Sequence, residues 1–219
     1  MTMATLLLRL AAPLQAWGSD SKFNIRSTGR EPTKSGVIGM VAAAMGIQRN
    51  DDPKLLKPLN KLKFGIRVDR EGKLLKDFHM VHEMSGKKDS HVTERYYLSD
   101  AVFLAALESD SREYLEDIVK ALKDPVYPLF LGRRSCPPTL PIVLGIRDDE
   151  LIDALKNEPD LISADRRILS KRLIYDSDSG GTVVNDVPVS FSQRHRQYGC
   201  RMKKEEMLPG TEHDPMSEL

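Results

Sequence analysis

The chain has 219 residues, enough for one large domain or one domain with a smaller addition and for a core of ordinary size. Its 40% hydrophobic and 30% charged content excludes a disordered or fibrous chain. A net charge of +1 excludes bulk basicity as the means of holding nucleic acid, so such a role has to rest on where the cations are placed.

Thr5 to Leu10 (TLLLRL) is a short apolar run closed off by Pro13 and reads as a buried first strand. Arg9 sits inside that run and not ahead of it, which is unlike a signal peptide. A loop then leads to Ser35-Gly36-Val37-Ile38-Gly39-Met40, read as a helix with Ser35 as N-cap and Gly46 as its stop. Its internal glycines imply close packing against another backbone. The apolar stretch Val37 to Ile47 is far below the roughly 18 residues of a membrane span, so no membrane contact is expected and the location expected is cytoplasmic.

Leu62 to Val68 (LKFGIRV) alternates apolar and basic residues, the pattern of a half-buried strand, and Arg70 to Lys73 reads as the turn of a hairpin with the next run. The segment from Asp77 to Ser99 has little apolar content before Tyr96 and is read as a protruding arm. Ala101 to Leu107 (AVFLAAL) fits a central strand. Ser111 caps the clearest helix, with apolar residues at 114, 115, 118, 119 and 122 and Pro125 ending it. Pro141 to Ile146 reads as a strand and Asp148 to Asn157 as a short helix. Beyond Pro159, Arg172 to Tyr175 and Asp186 to Ser192 read as short strands, and Lys203 to Leu219 as a frayed tail. The order is that of an α+β, ferredoxin-like (RRM-like) βαββαβ layer spanning 1–158, with an inserted arm at about 77–99 and a β-containing C-terminal extension at 159–219.

Four constellations bear on chemistry. In Phe130-Leu131-Gly132-Arg133-Arg134-Ser135-Cys136-Pro137, Gly132 permits close approach or positive φ, the two arginines offer forked donors suited to phosphate, and Ser135 adds a hydroxyl. Pairing of both arginines with surface carboxylates is the plainer alternative. Gly29-Arg30-Glu31-Pro32-Thr33-Lys34-Ser35 invites comparison with a phosphate-binding loop, but Thr33 stands where a glycine is needed, Pro32 removes a donor, and no strand feeds the loop directly. Nucleotide hydrolysis is therefore not expected, although Thr33, Lys34 and Ser35 at a helix N-terminus remain a candidate anion site. Gln15-Ala16-Trp17-Gly18 carries the single tryptophan, read first as a core anchor and second as a stacking platform. The arm holds His79, His82, Lys87, Lys88, His91, Tyr96 and Tyr97, residue types used by metal-free ribonucleases, though a polar arm of this kind is more often a solvated surface. Cys136 and Cys200 lack Cys or His neighbours at zinc spacing, so two reduced thiols and no metal or cofactor are expected.

Leu6 to Gly18, Ser27 to Ile47, Tyr96 to Leu107 and Tyr127 to Pro137, with QAWG, PTKSG and LGRRSCP in combination, resemble the CasD family of type I-E CRISPR surveillance complexes (Cascade). The resemblance spans roughly residues 5 to 146 and thins beyond Pro159. It implies a RAMP-type protein in which the arm is a thumb. Such a protein binds the 5′ handle of the CRISPR RNA, abuts the backbone and large subunits, lies near target DNA held mainly by other subunits, and has no catalytic residues, metal or cofactor. Relatives in type I-C systems cleave precursor RNA, so a metal-independent endoribonuclease is the second reading. Candidate RNA-binding residues are Gln15, Trp17, Arg26, Arg30, Thr33, Lys34, Ser35, His91, Arg95, Gly132, Arg133, Arg134 and Ser135.

Overall fold

The computed structural model describes residues 3–18, 24–82, 90–162 and 170–209; Lys87 and Lys88 lie outside these, as does the side chain of His91. Strands β1 (Ala4–Ala11), β4 (Lys63–Arg70), β7 (Val102–Ser109), β8 (Val143–Arg147), β9 (Ser170–Asp176), β10 (Thr182–Ser190) and β11 (Gln197–Pro209) form one antiparallel sheet in the order β10-β11-β9-β4-β7-β1-β8. A second sheet joins β2 (Leu14–Gln15), β3 (Ile25–Arg26), β5 (Lys73–His82) and β6 (Ser90–Ser99). Helices are α1 (Lys34–Ala44), α2 (Lys57–Lys61), α3 (Arg112–Lys123) and α4 (Leu151–Asn157).

The continuous apolar runs of β1 and β7 follow from burial on both faces of the large sheet. Leu6, Leu8, Leu10, Phe103, Ala105 and Leu107 pack into the core that contains Val37, Ile38, Leu115 and Ile118 from α1 and α3. Leu7, Leu104 and Ala106, at the alternate positions, pack with Leu151, Ala154 and Leu155 of α4 on the other side. Each fully buried Leu or Phe contributes about 1.5–3 kcal/mol. Gly65 sets how near α4 comes, because a Cβ there would stand 2.7 Å from Leu155 Cδ1.

Five expectations are corrected. The strand over Leu62 to Val68 is buried almost throughout. Arg67, 2% exposed, is accommodated by Asp69 and by the carbonyls of Leu155, Glu158 and Pro159. No hairpin joins it to the next run, since β4 already has β7 and β9 as neighbours, and β5 instead pairs with β6. The N-cap of α1 is Thr33 and not Ser35: Thr33 has extended backbone and its Oγ1 accepts from Gly36 N at 3.2 Å. The glycines of α1 meet rings and not backbone, with a Cβ on Gly36 falling 2.9 Å from the Trp17 ring and one on Gly39 falling 3.3 Å from Phe191 Cζ.

The last correction is that 203–209 is strand. β11 lies between β10 and β9, and its charged side chains find cross-strand partners, among them Glu205 with Arg172 and Glu206 with Tyr175. Such a strand is held by pairing and not by an apolar face, so hydropathy does not reveal it. The arm is a β5–β6 hairpin that presents Phe78, Met80, Val81 and Val92 to solvent.

Candidate nucleic-acid interface

The loop between α3 and β8 is built around Gly132. Its φ is +86°, and a Cβ would stand 1.7 Å from Ala16 O, so only glycine fits. Leu131 N donates to Cys136 O at 2.8 Å and Cys136 N to Arg133 O at 2.9 Å, which closes a tight turn. Ala16 N donates to Leu131 O at 3.1 Å and ties that turn to the Gln15–Gly18 segment. Leu131 and Cys136 are buried, whereas Arg134 and Ser135 are exposed. Burial pushes the Cys136 thiol pKa up, so it is held as an inert packing group.

The adjacent arginines have different surroundings. Arg133 donates to Arg26 O at 2.7 Å, Ser27 O at 3.3 Å and Tyr96 O at 3.1 Å. It therefore joins the loop to β3 and to the hairpin. Arg134 has no hydrogen bond or ion pair among the described residues. The side chains of Arg26 and Arg95, register partners on the parallel pair β3 and β6, likewise have no partner among the described residues, and Arg95 Nε is buried with no acceptor. Most cations of the large sheet have carboxylates, so three free arginines around the Arg133 hub are a local excess of positive charge. Arg30 is mostly exposed and stands 3.6 Å from Glu71.

Gln15 and Trp17 support this site from below. Gln15 Nε2 donates to Leu10 O at 3.3 Å and Ala101 O at 2.8 Å, and its Oε1 accepts from Trp17 Nε1 at 3.1 Å. With Trp17 only 1% exposed and pressed against Gly36, the core-anchor alternative is the one the geometry matches. The start of α1 already holds an anion of the protein's own. Lys34 N donates to Asp186 Oδ2 at 2.9 Å, and Lys34 Nζ pairs with Asp176 Oδ2 at 2.9 Å. Arg201 completes the network by reaching Asp186 Oδ1 and Asp176 Oδ1, each at 2.6 Å. Lys34 is thus a buried tie between α1 and the C-terminal strands, while Thr33 and Ser35 share a hydroxyl contact of 3.3 Å at the surface of the same turn.

Thr33, Ser35 and Gly132 line a cavity of about 260 Å³ together with residues that the sequence reading missed: Arg49, Phe191, Arg196 and Tyr198. A signal for part of this set was present, since Arg194-His195-Arg196 beside Tyr198 is a basic run with an aromatic neighbour. No such signal marked Arg49, which stands alone after α1. Among the described residues no group of three or more His, Cys, Asp or Glu is placed to hold a metal ion, and no helix is long and apolar enough to cross a membrane.

A family description, CRISPR-associated protein (Cas5), matches residues 5–202. The chain belongs to the Cas5 family. It is 38% identical over 156 residues to the CRISPR system Cascade subunit CasD of Escherichia coli strain K12, a match covering 64% of this chain and 70% of that one. Two solved structures share the architecture of this Cas5 chain. One, described as the crystal structure of a Cas protein, is 38% identical with a TM-score of 0.75 and covers 94% of this chain and 95% of its own. The other belongs to a CRISPR RNA-guided surveillance complex and is 34% identical with a TM-score of 0.74, covering 94% and 90%. The Cas5 match extends into β11, well past Pro159, where the motif-based resemblance fades.

Proposed function

We propose that this Cas5 chain is a non-catalytic, RNA-binding subunit of a type I-E Cascade complex in the bacterial cytoplasm, holding the 5′ handle of the CRISPR RNA. The observation that carries the reading is the trio Arg26, Arg95 and Arg134, free of carboxylates and gathered about the Arg133 hub. Guanidinium groups without internal partners, two of them exposed and that of Arg95 partly buried, are suited to the phosphates of a single strand. The relatives described above supply the context, one being a Cascade subunit and the other part of an RNA-guided surveillance complex.

The four strands β4-β7-β1-β8, with α1 and α3 between their chain-order neighbours, support a ferredoxin-like RAMP domain over 1–158. The β5–β6 hairpin is its thumb, and 159–219 is a β-containing extension. Leu74, Phe78 and Met80 alternate along one face of β5, and Met80 faces Val92 across the ladder, all exposed. An apolar strip on a projecting hairpin suits a protein partner, here the backbone or large subunit.

The test is retention of guide RNA by complexes reconstituted with Arg26→Glu, Arg95→Glu and Arg134→Glu together. Loss of the RNA, and a shallower salt dependence in the single variants, is expected. A complex that keeps its RNA with unchanged salt sensitivity would remove these residues from the RNA path. Incubation of the wild-type protein with labelled repeat RNA in EDTA is expected to leave the RNA intact; cutting at one site would establish the ribonuclease reading instead.

A further inference from the structure

We propose that the cavity between the start of α1 and the β10–β11 connection is a subsite for one unpaired nucleotide of the bound RNA. Its base stacks among Phe130, Phe191 and Tyr198, and its phosphate sits on Arg49 and Arg196. The inference rests on the RNA-binding reading above and adds to it a site made largely by residues outside the arginine cluster.

Size comes first. At about 260 Å³ the cavity is smaller than the roughly 300–1,000 Å³ typical of sites for drug-sized ligands, and it suits a single ring system. Among its lining residues, Phe130, Phe191 and Tyr198 are aromatic. Phe191 reaches the cavity because Gly39 of α1 has no side chain to exclude it, a Cβ there coming 3.3 Å from Phe191 Cζ. Tyr198 is 36% exposed and offers a ring face, whereas Trp17 is buried and forms the floor. Every base has a π-face, so such walls select an unpaired nucleotide more than a particular base.

Charge fixes the class of occupant. Arg49 follows α1 and Arg196 precedes β11, so the two come to the cavity from separate segments of the chain. Both are exposed, neither has a partner among the described residues, and no Asp or Glu lines the cavity. An apolar side chain from a protein partner leaves two guanidinium groups unpaired, whereas a nucleotide supplies both a ring and an anion. The Ser35 hydroxyl adds a donor and acceptor. Gly132 lines the cavity and belongs to the same tight turn as Arg134, so the cavity borders the loop that carries the arginine cluster.

The experiment uses the full-length protein and single-stranded oligonucleotides of the cognate repeat in which each base in turn is replaced by 2-aminopurine. Wild-type protein is expected to quench one position far more than its neighbours. Tyr198→Ala should abolish that quenching and weaken binding by roughly 5- to 150-fold, the range for loss of one stacked base. Arg49→Gln and Arg196→Gln, at exposed positions where folding is not at risk, should each weaken binding and flatten the salt dependence. Tight RNA binding with quenching unaffected by all three variants would overturn the pocket and leave the arginine cluster standing. Variants that keep the quenched position but lose the large subunit would assign the cavity to a protein partner and equally overturn the proposal. Failure of the wild-type protein to bind RNA in any context, reconstituted complex included, would overturn the parent reading and the pocket with it.

Discussion

The guanidinium carbon of Arg133 lies 4.8 Å from the centroid of the Tyr97 ring, while the same side chain donates to the carbonyls of Arg26, Ser27 and Tyr96. Stacking on one face and donation to three carbonyls use both the plane and the two terminal nitrogens of the guanidinium. Lysine has the charge but neither the plane nor the fork.

Arg133→Lys should therefore be almost as damaging as Arg133→Gln. We expect faster amide hydrogen exchange in β3 and β6 and an RNA affinity lower by about tenfold, with the slope of log affinity against log salt unchanged. Arg134→Gln should leave exchange untouched and reduce that slope by about 0.7, the share of one single-strand phosphate contact. Equal slopes for both variants would mean that Arg133 also meets the RNA.

Gly132→Ala should destabilise the folded protein by about 1–3 kcal/mol or more, since the Cβ meets Ala16 O and the backbone stays at positive φ. Denaturant midpoints measure this directly. A midpoint equal to wild type would show that the Gln15–Gly18 segment can move away from the loop at little cost.

Asp186→Asn should cost about 3–5 kcal/mol, because the largely buried Arg201 guanidinium loses one of its two carboxylates and the Lys34 amide at the head of α1 loses its charged acceptor. Urea unfolding of the full chain is the measurement. An apolar replacement of the whole network would cost far less, which separates broken pairing from lost packing.

The pH dependence follows from Glu31. Burial opposes its charge, but the bond and charge of Lys203, with Arg172, outweigh it and hold its pKa below the ordinary 4.5. A carboxylate with a lower pKa folded than unfolded stabilises the fold above its unfolded pKa, and that stability is lost as pH falls through the folded value. Unfolding free energy should decline as pH falls through the ordinary carboxylate value of 4.5 and below it, and Glu31→Gln should flatten part of that decline. An identical slope in the variant would assign the acid sensitivity to other carboxylates.

Met80→Asp combined with Phe78→Ser should leave the isolated chain as stable as before, because both side chains are exposed on the hairpin. Co-purification with the backbone and large subunits should fall by at least about tenfold if this strip is a protein contact. Unchanged assembly would place the contact elsewhere.

Much of this was legible in the sequence. The β1 and β7 runs, the Ser111 cap of α3 and the order of the central strands follow local rules of periodicity and capping. The LGRRS turn was legible too, as glycine beside two arginines. What escaped depends on distant partners. Nothing near Lys34 announces that Asp186 will meet it, 152 positions away, and nothing near Arg133 shows that three carbonyls from two other segments will take its donors. β11 escaped for the same reason, because its charged residues are satisfied across the sheet and leave no apolar alternation to read.

The carboxylate of Asp186 at the head of α1 makes the two ends of the chain interdependent. A protein cut after α4 would retain β1, β4, β7 and β8 and yet lose Asp176 and Asp186, leaving the Lys34 ammonium and the head of α1 without their partners. The C-terminal strands therefore cannot be treated as an optional module. Any split, circular permutation or tag that loosens β9 to β11 should be felt first at the opposite end of the sequence, in the turn where α1 begins.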